Sequence, residues 1–170
     1  MFMCLKSVFL IGLALLTCLM SALALDTDDF TFRLDGMVYT PGDDPILLIE
    51  ALTSLYGEPE VIEADSCLFS GKDREYDFGA VVVATCPSGQ SGGDEIETIM
   101  VFGAAYPTDR GIRTGMKGSE VLTVYGNDCT VDFDRYTYHI NGADTDAMLV
   151  FIIDMATDTV VCYYMYRNSV

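Results

Sequence analysis

The chain has 170 residues, 26 of them acidic against 9 lysines and arginines, for a formal net charge of −17. Nucleic acid would be repelled by that charge, no basic stripe interrupts it, and an anionic membrane surface is disfavoured for the same reason. Cationic partners, or plain solvation of an acidic surface, suit it better.

The first 24 residues read as an export signal. Lys6 is the only charge there, residues 8–16 form an apolar run of signal-peptide length, and Ala22-Leu23-Ala24 places small residues where signal peptidase reads. The expectation is a signal peptide over residues 1–24, cleaved after Ala24. Leu15-Leu16-Thr17-Cys18 makes a poor lipobox, since Thr and Leu precede the cysteine and residues 19–25 would start a lipoprotein with more apolar sequence, so no lipid anchor at Cys18 is expected. The apolar stretch 8–25 also fits a retained anchor; cleavage fits better. No later run is long enough to span a bilayer, so no membrane insertion is expected after cleavage. Cys4 and Cys18 leave with the signal. Cys67, Cys86, Cys129 and Cys162 remain, an even count that in an exported chain favours two disulfides of open connectivity. With no C-x-x-C pair and one histidine, neither a metal site nor a cofactor is expected.

After the short acidic lead-in Asp26-Thr27-Asp28-Asp29, residues 30–34 alternate apolar with polar as a half-buried strand does. Asp35-Gly36 turns the chain, and residues 37–40 continue extended. Asp43-Asp44-Pro45 is a helix-start signal, an aspartate able to cap followed by proline at the first helical position. The predicted helix covers residues 45–56 and is stopped by Gly57, which has no Cβ to oppose the left-handed conformation. Its residues Ile46, Leu47, Leu48, Ile49, Leu52, Leu55 and Tyr56 are apolar over more than half the circumference, so it should touch more than one layer. Strand-like pieces follow at residues 66–70, 74–78, 81–86 and 96–102, with a Gly/Ser-rich loop at residues 87–94.

The second half replays this order. Residues 109–115 echo 35–42, residues 119–125 form a helix about one turn shorter, and Gly126 ends it after Tyr125 as Gly57 follows Tyr56. Residues 129–133, 135–140, 148–153 and 160–166 are strand candidates, with turns between them. The expected fold is α+β: two tandem repeats, residues 25–104 and 105–170, each a helix packed on an antiparallel meander of three to four strands. Tyr56, Gly57, Tyr125 and Gly126 would define the repeat. Units of this size have marginal cores, so the two should share one or pack through their helices.

The runs Ser66-Cys67-Leu68-Phe69-Ser70-Gly71-Lys72-Asp73-Arg74-Glu75-Tyr76-Asp77-Phe78 and Ala84-Thr85-Cys86-Pro87 resemble a family of uncharacterised exported proteins of clostridia-like bacteria. There the pattern is S-C-x-F-x-G-x-D-K-x-Y-x-Y, followed by a strand ending near T-Y-P. The stretch from Thr108-Asp109-Arg110-Gly111-Ile112-Arg113-Thr114-Gly115 to Tyr125-Gly126 is similar to that family's G-I-x-I-G…Y-G signature. Many of those proteins are lipoproteins; the poor lipobox here does not carry anchoring over, and Arg74 and Cys86 stand where Lys and Tyr are usual. The helix-and-sheet repeat also resembles, in architecture alone, the tandem fold of the β-lactamase inhibitor protein and the small lipoproteins of outer-membrane assembly machinery. The first resemblance implies an exported protein and no known activity; the second implies binding to another protein without catalysis.

Three chemistries compete with that expectation. Gly89-Gln90-Ser91-Gly92-Gly93 satisfies G-x-S-x-G, but His139 is the only histidine, it follows the serine, and a strand rather than a helix comes next, so neither trypsin-like nor α/β-hydrolase order is met. A flexible hairpin loop explains the glycines. Paired carboxylates for glycoside cleavage are plentiful, yet nothing selects a pair. Asp43-Asp44 fit calcium binding and helix capping equally well, while Asp132, Asp134, Asp144 and Asp146 lack the glycine and closing glutamate of an EF-hand loop; an acidic cation-binding module is the third alternative. Tyr163, Tyr164 and Tyr166, with Met165, fit a terminal strand covered on both faces. The reading is an exported protein of the bacterial envelope or secretome, without catalysis, that contacts another protein; the charge is compatible with a cationic partner and fits a solvated acidic surface better.

Overall fold

Asp35 at φ 50° and Gly36 at φ 80° make a two-residue turn of the kind Asp-Gly favours. It joins β1 (Phe32–Leu34) to β2 (Met37–Tyr39) in an antiparallel ribbon with Phe32 opposite Tyr39 and Leu34 opposite Met37. The computed structural model describes residues 25–89, 92–140 and 147–167; the signal-peptide reading, Ser91, Asp144 and Asp146 lie outside them. Ahead of the ribbon a 3₁₀ turn, Thr27–Phe30, is started by Asp26, whose carboxylate accepts from the Asp28 N–H at 2.9 Å.

Helix α1 (Ile46–Tyr56) begins just after Pro45, and the Asp44 carboxylate accepts the Ile46 N–H at 2.9 Å. Gly57 ends it at φ 88°, donating its N–H to the Thr53 carbonyl at 2.9 Å. Strands β3 (Glu60–Asp65), β4 (Lys72–Asp77), β5 (Val81–Pro87) and β6 (Asp94–Val101) follow as an antiparallel meander. Helix α2 (Gly118–Tyr125) ends on Gly126 at φ 84°, whose N–H reaches the Leu122 carbonyl at 3.0 Å. Strands β7 (Thr130–Asp132), β8 (Arg135–His139), β9 (Met148–Asp154) and β10 (Thr159–Tyr166) complete the order.

The decisive pairing is β6 with β10. Val101 lies opposite Tyr163 and Thr98 opposite Tyr166, so the strands fuse into one eight-stranded antiparallel sheet, β3-β4-β5-β6-β10-β9-β8-β7. Alternate residues of the sheet point to one face, where Val81, Val83, Ile96, Ile99, Val101, Tyr138, Leu149, Phe151, Tyr163 and Met165 meet Leu48 and Leu52 of α1, Val121 and Tyr125 of α2, and Phe32 and Leu34 of the ribbon. Among the described residues, no helix is long and apolar enough to cross a membrane.

This corrects the expected α+β architecture of two tandem helix-on-meander repeats. The described residues are mostly β, with a continuous sheet, a two-stranded ribbon and two short helices of 11 and 8 residues. The β6–β10 ladder crosses the boundary drawn at residues 104/105, and one hydrophobic cluster contains residues from both sides of it. Tyr56, Gly57, Tyr125 and Gly126 do stand at the two helix ends, but they mark corners of one sheet-based body rather than two repeats. Two strand readings change as well. β3 occupies residues expected to be a connection, while residues 66–70 form the loop after it, where the Ser66 N–H donates to the Gly71 carbonyl at 3.1 Å. β10, last in the chain, is central in the sheet: Tyr163 and Met165 are buried on the helix side, whereas Tyr164 and Tyr166 are half-buried on the reverse.

Candidate functional site

Among the described residues, helix α1 does not find the second layer that its composition demands. Leu48 and Leu52, four residues apart and so on one side of the helix, are fully buried. Ile46 and Leu47, at 100° per residue, flank Glu50 on the opposite side, and they are 58% and 59% exposed. Leu55 is 53% exposed, and Tyr56 is exposed too. On the ribbon, Met37 and Val38 are also exposed. Single exposed apolar residues are ordinary; four on one eleven-residue helix are more than that background.

The C-terminal end of α1 is tied to the sheet. The Tyr56 and Tyr106 hydroxyls share a hydrogen bond of 2.5 Å, the Tyr106 ring lies 5.4 Å from that of Phe32 under the ribbon, and the Tyr163 hydroxyl donates to the Tyr106 carbonyl at 3.1 Å. Burial, and then the bond to Tyr56, push the Tyr106 phenol well above its ordinary pKa, so it stays neutral throughout the physiological range. The corner where α1 meets the ribbon is therefore anchored to β10. Glu50 is the only charge on the helix, with Asp43 and Asp44 before it and Glu58 and Glu60 after it. An apolar centre with an acidic rim suits a partner with the opposite rim.

The residues weighed for other chemistry are scattered. His139 is exposed at the end of β8, on the face opposite buried Tyr138, and Ser91 lies outside the described residues. Asp43 accepts from the Thr40 N–H at 2.8 Å, and Asp44 caps α1, so both act within the chain. Asp132 closes β7 and Asp134 lies in the turn after it. Among the described residues, no group of three or more histidine, cysteine or acidic side chains is placed to hold a metal ion.

The four cysteines expected to form disulfides are spread over the fold. Cys67 is exposed in the loop after β3, and Cys86 is buried near the end of β5. Cys129 is half-buried against the helix-side core beside the Tyr138 hydroxyl, which donates to the Gly126 carbonyl at 2.9 Å. Cys162 is buried on the reverse of β10, where burial and then the Asp134 charge push its thiol up to about 11, a poor nucleophile.

Two polar features had no signal in the sequence. Glu97 is the extra residue where the β5–β6 register shifts, and its carboxyl is raised by burial first and by the neighbouring Asp73 charge second. Asp29, 4% exposed, takes a bidentate pair from Arg110, with 2.5 Å from Nε to Oδ1 and 2.5 Å from Nη2 to Oδ2. The Arg110 guanidinium lies 5.0 Å from the Tyr125 ring centre. These partners are far apart in the chain, so only tertiary structure joins them.

Neither a known protein family nor a curated protein matches the sequence. Among solved structures, the chain is similar to an extracellular protein containing a SCP domain from Bacillus anthracis, at 13% identity and a TM-score of 0.44, over 81% of this chain. The chain spans about half the length of that protein, matching 50% of it.

Proposed function

We propose that this is an exported protein that acts without catalysis, by binding another protein through the exposed apolar face of α1. The observation that carries this reading is Ile46 and Leu47, more than half exposed on a helix whose opposite side carries the fully buried Leu48 and Leu52. Covering Ile46 and Leu47 with a partner would contribute roughly 1 kcal/mol each, taking half the value of a fully buried aliphatic side chain. The acidic rim and the net charge of −17 favour a partner that is cationic around its contact surface. Export rests on the N-terminal signal described above.

The test is a comparison of wild type with Ile46→Asp/Leu47→Asp as bait for the exported proteins of the source cell. Wild type is expected to retain a partner that the variant loses, while both unfold at the same temperature, since neither side chain belongs to the core. Equal retention by both baits would refute the reading.

One observation favours a second reading, a carboxylate site: Glu97 and Asp73 interact, and the raised Glu97 carboxyl is the kind that general acids and cation sites use. A calcium titration that raises the unfolding temperature of wild type but not of Glu97→Gln would support it; no shift in either would end it.

A further inference from the structure

The hairpin turn between β7 and β8 breaks two rules at once. Asp132 pairs with Arg135, so Phe133-Asp134 forms a two-residue turn, and Phe133 takes φ 55°. That conformation belongs to glycine, or to Asn and Asp, which bond their own backbone there; a bulky side chain is an outlier. The β1–β2 turn meets the same demand with Asp35-Gly36. Phe133 gains nothing in packing for its strain, because it is 86% exposed. Strain persisting at an exposed aromatic residue points to use of that side chain.

Its surroundings define what would cover it. The Asp134 carbonyl accepts the Ile153 N–H at 2.7 Å, so the turn lies beside the end of β9, and Met155, 62% exposed, follows in the next connection. Val131 on β7 is 58% exposed. Asp128, Asp132, Asp134, Asp154 and Asp158 surround these apolar groups in sequence, against Arg135 as the cation of the hairpin. We propose that this corner is a second docking point, in which Phe133 inserts into a protein segment that combines apolar and cationic side chains. The assignment is independent of the α1 face, which belongs to another part of the chain.

The test uses the full exported chain and a synthetic peptide of alternating leucine and lysine as probe. Wild type is expected to bind it at least about tenfold more tightly than Phe133→Gly, while Phe133→Tyr keeps most of the affinity. Phe133→Gly should unfold at the same or a higher temperature, because glycine accepts the backbone without strain. Equal binding by wild type and Phe133→Gly would overturn the proposal by showing that the acidic surface alone attracts the peptide. So would equal binding of a leucine–glutamate peptide, or tight binding to phosphatidylcholine vesicles, which would make the corner a lipid contact. A large fall in unfolding temperature for Phe133→Gly would make Phe133 a structural residue and overturn it too.

Discussion

Asp29 and Arg110 are the residues whose loss should be felt most for their size. A buried carboxylate is tolerated only with its charge matched, and Arg110 matches it through two hydrogen bonds that a lysine has no fork to reproduce. Arg110→Ala is expected to cost about 3–5 kcal/mol, mostly by stranding Asp29, measured by urea unfolding. A loss below about 1 kcal/mol would mean that water reaches the carboxylate. Glu97 works the other way. Its pKa in the folded protein is raised, so the folded state favours the protonated form, and this stabilisation is full below the ordinary glutamate pKa and lost as pH rises through the folded value. Glu97→Gln should therefore unfold at a higher temperature than wild type near neutral pH, with the gap closing as the buffer is taken down to about pH 4. A gap that widens on acidification would reverse the assignment. Neither residue was legible in the sequence, since an aspartate or glutamate in so acidic a chain carries no mark of the neighbours that folding gives it.

At the scale of single elements, the helix ends were the most legible feature. Glycine after Tyr56 and after Tyr125 reads as a stop, and both adopt nearly the same backbone, φ 88° and ψ −172° at Gly57, φ 84° and ψ −178° at Gly126. Only glycine occupies that region freely, so Gly57→Ala and Gly126→Ala should each cost about 1–3 kcal/mol in chemical denaturation. No atom within 4 Å opposes a Cβ at Gly57, so the cost there is conformational alone. Gly93, with equally open space and no positive φ, is the control, and Gly93→Ala should be near neutral. Comparable losses at all three would discount the helix corners. Strand β3 was not legible: Glu60-Val61-Ile62-Glu63-Ala64-Asp65 is exposed along its whole length at the sheet edge, so no burial pattern marks it, and pairing with β4 alone makes it a strand. The excess apolar surface of α1 was legible, but the inference drawn from it, a second layer within the chain, was not what the fold provides.

At the scale of the whole molecule, the order of helices and strands could be read, yet how the strands join could not. Nothing in Val160 to Tyr166 distinguishes an edge strand from a central one; the β10 pairing with β6 does, and it turns two imagined units into one sheet. That topology also limits the cysteines. Cys129 precedes β7 on the helix side and Cys162 lies on the reverse of β10, with β9 and β8 between, about 14 Å at the usual strand spacing and well beyond disulfide reach. Cys86 and Cys162 sit toward opposite ends of β6, as the register places Cys86 beside Glu95 and Tyr163 beside Val101. Only Cys67 and Cys86 fall in one neighbourhood, where a Cβ at Gly71 would come within 2.8 Å of Pro87. Peptide mapping without reductant should show any native bond as Cys67–Cys86, and a Cys129–Cys162 peptide would contradict the sheet.

The proposed role requires α1 to meet its second layer in another molecule. A photoreactive residue placed at position 47 tests this most directly when the protein is irradiated among the native exported proteins, with the same residue at position 75 on β4 for comparison. A discrete adduct with a second protein from position 47, absent from position 75 and abolished by Ile46→Asp, is the predicted result. No adduct from position 47, or the same adduct from both, would contradict the account.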